Sequence, residues 1–488
     1  MTGEQLLLLM PIILVTVTAV MTMLMVAVKR NHAVSCLISA VGLILALLSL
    51  VIVIPLAPAE VTPLLRVDAF SLFFTALILL SGLAITLFSY PYLSNLEDHQ
   101  DEFYLLLVIA VLGALVMVSS THFITAFLGM ETLSVCLYGM IAYPLHRRET
   151  AQYPMEASIK YLVLSAVSSG FVLFGMALLY AQTGTLHFSS IAAALSGLEG
   201  VVPPVYYVVA ALLIITGFAF KLSLVPFHLW TPDVYEGAPL PATAFLATVG
   251  KLAMAALLMR YMSVGGVLGS ESIVYVLSVM AVFSIIAGNL LALLQSNLKR
   301  LLSYSSIAHM GYLLIALLTL DTLEDSLGAE AVSFYLVAYV VMSLGAFGVM
   351  MVVSDSAQER DHIGHYQGLF WRNPWLALVF TAMLLSLAGI PLTVGFIAKF
   401  YIVAAGVEGA KWGLLFAMIV GSGIGLFYYL RIIYRMLTPL EYFEPMREAG
   451  LKELLSHCVL FVLLCALIAF GVYPNGLMSL LESVVATL

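Results

Sequence analysis

The stretch Lys221-Leu-Ser-Leu-Val-Pro226-Phe-His228-Leu-Trp230 decides how this chain is read. It closes an apolar run over 205–230, and about 20 such residues cross a bilayer as a helix. Yet the run carries a lysine and a proline. Proline removes a backbone donor and clashes with the preceding turn, and lipid offers nothing to the carbonyls so released. The expected structure is a spanning helix interrupted beside a charge. The same combination recurs in Gly389-Ile-Pro391-Leu-Thr-Val-Gly395-Phe-Ile-Ala-Lys399. Interrupted helices next to charges, one in each half of a chain, are the mark of a transport site built from repeats.

The rest of the chain agrees with a membrane setting. Of 488 residues, 63% are hydrophobic and 9% are charged; mean hydropathy is +1.10. Soluble domains carry roughly 25% charged residues, so a soluble fold is excluded. The expected fold is an all-α polytopic membrane protein. Fourteen spans are predicted, over about 5–28, 34–56, 70–94, 103–120, 123–143, 156–181, 205–230, 239–262, 267–292, 301–320, 331–353, 374–402, 413–437 and 454–473. The run Leu6 to Val28, followed by Lys29-Arg30, reads as a retained first helix. Cys36, Cys136, Cys458 and Cys465 fall in apolar runs without a CxxC, so neither an Fe–S nor a zinc site is expected. There is no nucleotide loop or metal-ligand cluster, and the Gly421-Ser-Gly423-Ile-Gly425 run reads as a site of close helix packing.

Basic residues in short loops set orientation. Loops after odd-numbered spans hold twelve: Lys29, Arg30, Arg147, Arg148, Lys299, Arg300, Arg360, Arg372, Arg431, Arg435, Arg447 and Lys452. The other side has three: Arg66, Arg260 and Lys411. Both termini are therefore expected on the periplasmic side of a bacterial plasma membrane. These fifteen leave four of the 19 basic residues, Lys160, Lys221, Lys251 and Lys399, within spans, and of 27 acidic residues only Glu131 lies well inside one. A charge at the bilayer centre costs about 2.5–3.5 kcal/mol on insertion scales. One glutamate cannot neutralise four lysines, so some must be solvated internally or lose their charge. A desolvated lysine can exchange its proton, which an arginine cannot do. A glutamate partner would control that exchange. His228, beside the first break, and His309 are candidate relays because histidine titrates near neutrality.

Spacing suggests duplication. Glu131 to Lys221 is 221 − 131 = 90 residues and His309 to Lys399 is 399 − 309 = 90. The implied offset of 178 carries Lys251 to Tyr429 and Lys160 to Ala338, beside Tyr339. The chain then divides into four segments: an N-terminal three-helix segment over 1–100, a first repeat of five helices over 101–265, a second over 266–440, and a last helix over 441–488. Five spans per repeat is an odd number, so the repeats would be inverted.

The stretch from Lys221 through Thr231-Pro-Asp-Val-Tyr235 to Pro239 resembles the signature of the antiporter-like subunits of respiratory complex I. Further matches are Glu156-Ala-Ser-Ile-Lys-Tyr161, Asn297-Leu-Lys-Arg-Leu-Leu-Ser-Tyr-Ser-Ser306, His309-Met-Gly-Tyr312 and Leu387 through Lys399. The resemblance covers nearly the whole chain, and the Thr-Pro-Asp-Val-Tyr form is similar to that of the subunit N type. It implies two inverted five-helix repeats and a proton-translocating role in an NADH:quinone oxidoreductase. It also implies a pair between Glu131 and Lys221, a central Lys251, a terminal Lys399 and an auxiliary Lys160. No cofactor is implied for this chain; FMN, Fe–S clusters, NADH and quinone would belong to partner subunits. The implied partners are neighbouring membrane-arm subunits of the K, M, A, J and L types and membrane lipids, with no nucleic acid. The alternative is a subunit of a multi-subunit cation/proton antiporter.

Overall fold

The computed structural model describes residues 3–94, 100–143, 152–196, 205–320, 327–354, 359–439 and 451–488. Arg147, Arg148 and Arg447 lie outside them, as does the side chain of Lys452. The principal helices are α1 (Met10–Val28), α2 (His32–Val53), α3 (Ala69–Leu93), α4 (Asp101–Ser119), α5 (Phe123–Ile141), α6 (Gln152–Thr183), α7 (Val205–Leu222) and α8 (Trp230–Gly237). They continue as α9 (Leu240–Val264), α10 (Glu271–Leu293), α11 (Leu298–Leu317), α12 (Leu327–Val353), α13 (Pro374–Ala388), α14 (Val394–Glu408), α15 (Trp412–Leu437) and α16 (Leu451–Val472).

Twelve helices among the described residues are long and apolar enough to cross a membrane. Two predicted spans differ from these for physical reasons. The tenth, α11, is of spanning length but opens on Lys299-Arg300 and carries several serines. The twelfth is divided into α13 and α14, each 15 residues long. The elements not anticipated include a hairpin pairing Ala59–Thr62 with Leu65–Val67, the short helix α8, and two more short helices, Phe188–Ser196 and Asn475–Val485. These last two are amphipathic pieces too short for a spanning pattern.

Local chemistry sets the boundaries. Asp68 caps α3, accepting from Ser71 N at 2.8 Å; Asn297 caps α11, accepting from Lys299 N at 2.9 Å; Asn373 caps α13 ahead of Pro374. The central helices are the most enclosed: nearly every residue of α9 and α12 is buried, while α1, α6 and α16 turn wide apolar faces outward. The hairpins α4/α5 and α10/α11 flank this centre.

Two basic residues assigned to loops are inside the protein. Arg260 belongs to α9 and is 2% exposed; its guanidinium grips Asp68 through two bonds of 2.8 Å and lies 4.8 Å from the Phe70 ring. Lys299 is 1% exposed, donating to Glu359 at 2.6 Å and to the Ala238 carbonyl at 2.8 Å. Glu359 also accepts from Leu240 N at 3.0 Å and from the Tyr92 hydroxyl. Both clamps tie α9 and its approach to α3, so loop position alone misjudged them.

Removing one partner of a buried pair strands the other charge, at a cost of about 3–5 kcal/mol. Arg260→Ala is therefore expected to lower the thermal stability of the purified protein markedly. The double variant Arg260→Met/Asp68→Asn should recover much of the loss. Equal melting of the single and double variants would show that the stranded carboxylate is not the cause.

Candidate proton-translocation site

The seventh predicted span breaks after Lys221. Ser223 adopts φ +63°, and α8 resumes the helix at Trp230. Groups released by the break find partners: Val225 N donates to Ser284 Oγ at 2.9 Å, and Trp230 Nε1 donates to the Phe220 carbonyl at 3.1 Å. The result is a stable interruption that leaves Lys221 on the last turn of α7. The second break comes after Gly389 (φ +87°) and includes Leu392 (φ +70°). Gly395 is required beyond it, since a Cβ there would sit 1.9 Å from the Ser386 carbonyl oxygen.

Lys221 is nearly enclosed, and its ammonium donates to Ser134 Oγ and Ser165 Oγ, both at 2.6 Å, with the Tyr161 ring 5.5 Å away. Glu131 accepts from Ser169 at 2.5 Å. No direct ion pair joins Glu131 and Lys221 among the described residues; serines stand between them. Ser134 is three residues after Glu131 on α5, and Ser165 and Ser169 are four apart on α6. Those spacings put each set on one helix face, so the carboxylate and the ammonium are held by hydroxyls one helical turn apart, Ser169 on Glu131 and Ser165 on Lys221. Tyr138 adds a bond to Ser165 at 2.8 Å.

Lys251 is 1% exposed. It comes directly after a π-helical turn, Leu246–Gly250, and one extra residue in a turn rotates the remainder of the helix by about 100°. Its ammonium donates to Ser306 at 2.5 Å, and Ser306 bonds the Tyr339 hydroxyl at 2.6 Å. The neighbouring Ser305 bonds Tyr429, which lies 3.3 Å from His309 Nε2. His309 Nδ1 meets Tyr335 at 2.6 Å. Lys251 and His309 thus share one buried Ser/Tyr cluster on α11, α12 and α15.

Lys399 stands on α14 beyond the second break. It donates to the last carbonyls of α13, Leu387 at 3.2 Å and Ala388 at 2.8 Å, and to Ser422 at 2.9 Å. A cation at a helix C-terminus satisfies the unpaired carbonyls and complements their dipole. The Tyr312 ring lies 5.4 Å from this ammonium.

Two candidates fall outside this row. Lys160 is 39% exposed and ion-paired to Glu156 at 2.6 Å and Asp233 at 2.8 Å. Asp233 and Glu236 also bind Arg300, so Lys160 belongs to an outer charge network joining α6, α8 and α11. It has its own carboxylates, which removes it from the set that a single glutamate had to serve. His228 is buried in the first break, but its Nδ1 has no hydrogen-bond partner among the described residues. The 178-residue offset superposes Lys221 on Lys399 but not their breaks, because Lys221 precedes its own and Lys399 comes after its own. Ser134, Ser165, Ser169, Ser306 and Tyr335 were missed, whereas the 178-residue offset had pointed to Tyr429 and Tyr339. The signal available for them was polar residues at helical spacing facing the charges, as in Ser165 with Ser169 and Tyr335 with Tyr339.

Comparison with known proteins places this geometry. The family described as NADH:quinone oxidoreductase/Mrp antiporter, transmembrane, matches residues 120–425. A chain of respiratory complex I from Thermus thermophilus with bound aureothin is 32% identical, covering 97% of this chain and 100% of that one with a TM-score of 0.82. A chain of the membrane-bound sulfane sulfur reductase, an archaeal respiratory membrane complex, is 25% identical over 99% of this chain and 97% of its own, with a TM-score of 0.84. A chain of the Mrp complex from Dietzia sp. DQ12-45-1b shares the fold at 20% identity, covering 100% and 97%, with a TM-score of 0.85.

Exposure separates Lys160 from the buried row in a way that labelling can read. In a background with Cys458 and Cys465 replaced by serine, Lys160→Cys is expected to react with a charged, water-soluble maleimide in the folded protein. Lys251→Cys should react only after denaturation. Comparable labelling of both in the native state would contradict the geometry.

Proposed function

We propose that this chain, which belongs to the NADH:quinone oxidoreductase/Mrp antiporter transmembrane family, is a proton-translocating membrane subunit of an NADH:quinone oxidoreductase, of the subunit N type. One observation carries the reading. Lys221 and Lys251 lie in membrane-crossing helices and Lys399 in the second half of a divided one, with their ammonium groups held by hydroxyls and carbonyls instead of carboxylates. Neutral partners solvate a cation without fixing its charge, so a lysine held this way can give up and regain a proton. A lysine locked to a carboxylate, such as Lys299, is not free to do so.

Glu131 then acts as the control. Its carboxylate is held by Ser169, one helical turn from the Ser165 that meets Lys221, and a shift of α5 against α6 and α7 would close or widen that gap. Closure favours the protonated lysine and separation releases the proton toward Lys251 and the His309 cluster. Lys399 forms the far end of the row. Moving one charge against 100 mV takes about 2.3 kcal/mol, and coupling between sites is typically about 1–3 kcal/mol, so charge-pair switching has adequate size. The driving change would arrive from quinone reduction through neighbouring membrane-arm subunits of the K and M types, with FMN, Fe–S clusters, NADH and quinone on partners. Two inverted five-helix repeats, over 101–265 and 266–440, would frame the route, in a bacterial inner membrane with both termini periplasmic. The 32% identity to a complex I chain over 97% of this chain and 100% of that one favours this over a cation/proton antiporter subunit.

Lys221→Ala and Glu131→Ala, in membranes carrying the assembled complex, are expected to lose most NADH-driven proton pumping. Undiminished pumping with normal assembly would sink the proposal.

A further inference from the structure

Arg431 and Arg435 stand one turn apart near the end of α15. Like charges at that spacing work against a helix, and neither side chain meets a carboxylate among the described residues. Arg431 is held by carbonyls where α10 ends: Nη1 donates to Leu293 at 2.9 Å and Nη2 to Gln295 at 2.7 Å. Its Nε is buried and has no hydrogen-bond partner among the described residues. The Arg435 side chain is exposed and makes no hydrogen bond among them. Two cations thus lie side by side with donors to spare.

A third donor faces them. His362 Nδ1 accepts from Gly364 N at 3.1 Å, so the neutral ring carries its hydrogen on Nε2. The adjacent carboxylate, Asp361, turns to Asn297 Nδ2 at 2.6 Å. The loop that carries His362 is pinned to the turn between α10 and α11. Ile363 N donates to the Ser296 carbonyl at 3.0 Å, and Leu298 N donates to the Asp361 carbonyl at 2.6 Å. His362, Arg431, Arg435 and Gln295 line the open pocket of about 340 Å³ that results. Its walls are fixed and its free groups are donors. Arginine forks of this kind match the oxygens of a phosphate.

The surroundings say what kind of phosphate. Phe427 is 65% exposed one turn before Arg431, so Phe427, Arg431 and Arg435 form one stripe, apolar at one end and cationic at the other. Leu430 on α15 and Leu290 and Leu294 beside it widen the exposed apolar part. Tyr434 and Trp371 are exposed near the arginines, and Trp371 Nε1 donates to the Leu437 carbonyl at 3.0 Å. Exposed tyrosine and tryptophan at a helix end mark the membrane–water boundary. A soluble anion would fill the pocket and leave the apolar stripe bare. We propose that this pocket binds an anionic phospholipid, with its phosphate between Arg431, Arg435 and His362 and its acyl chains along the outer face of α10 and α15. Basic pockets between spanning helices take anionic headgroups in this way. The bound phosphate offsets the repulsion between the arginines and ties the end of α15 to the His362 loop. This site is separate from the lysine row and does not depend on the proton-route reading.

The test uses the assembled complex in phosphatidylcholine nanodiscs doped with a phosphatidylglycerol that carries a photoreactive acyl chain. A second preparation carries the same amount of photoreactive phosphatidylcholine. Adducts on residues 416–430 are counted by peptide mass spectrometry. Phosphatidylglycerol is expected to label this stretch several-fold more than phosphatidylcholine. Arg435→Gln should cut the excess, and Arg431→Gln/Arg435→Gln should abolish it. Equal labelling by the two lipids would overturn the proposal, as would an excess that survives in both variants. An absence of adducts from either lipid would overturn it in favour of a neighbouring subunit covering this face. Loss of the excess on adding inorganic phosphate would overturn it in favour of a free-anion pocket. Should the double variant fail to assemble, Arg435→Gln decides alone, because its side chain holds no other described residue in place. Lys221→Ala should leave the labelling unchanged, which separates a failure here from a failure of the proton route.

Discussion

A charge enclosed within membrane-crossing helices must be met by something other than bulk water, and that constraint organises this protein. The structure meets it in two ways. Arg260 and Lys299 are closed by carboxylates, Asp68 and Glu359. Lys221, Lys251 and Lys399 are met by serine hydroxyls and backbone carbonyls. The first kind of site holds a charge permanently and joins elements distant in sequence. The second stabilises the cation with dipoles alone, which leaves the proton exchangeable. The two kinds of site differ in whether the cation meets charged or neutral partners.

The broken helices arise from the same constraint. Breaking a helix inside a membrane exposes carbonyls and amides that lipid cannot satisfy. The second break supplies two such carbonyls to Lys399, so each defect offsets the other: the lysine caps the helix and the helix end solvates the lysine. The first break works differently. Its freed groups are taken by Ser284 and Trp230, which leaves Lys221 to the serines of α5 and α6. The two interruptions resemble each other in sequence but not in how they serve the adjacent charge, and this is why an offset fitted to the lysines fails to align the breaks.

Much of this was legible in the chain itself. Apolar runs marked the helices, prolines beside lysines marked both breaks, and a hydrophobic setting made Glu131, Lys221, Lys251, His309 and Lys399 conspicuous. What a linear reading could not separate was a charged residue near a helix end from one inside the bundle. Lys160 lies within an apolar run yet reaches Glu156 and Asp233 at its edge, while Arg260 lies near a run's end yet is buried on Asp68. The difference depends on which helices pack beside them, and that is set by contacts far away in sequence. The serines and Tyr335 escaped notice for a related reason, although the repeat offset had pointed to Tyr429 and Tyr339. They are common in spanning helices, and only their meeting across α5, α6, α11, α12 and α15 makes them a network.

Gly421 of α15 sits where this helix meets α10, and a methyl group there would press on Ile285 Cγ2 at 2.5 Å, Asn289 Nδ2 at 2.9 Å and the Tyr312 hydroxyl at 3.1 Å. Asn289 is buried and its amide keeps three hydrogen bonds, to the Ile285 carbonyl and to the Tyr312 and Tyr428 hydroxyls. A buried carboxamide that lost one of those bonds would carry a desolvation penalty of about 1–3 kcal/mol, so the empty space is what permits the polar group.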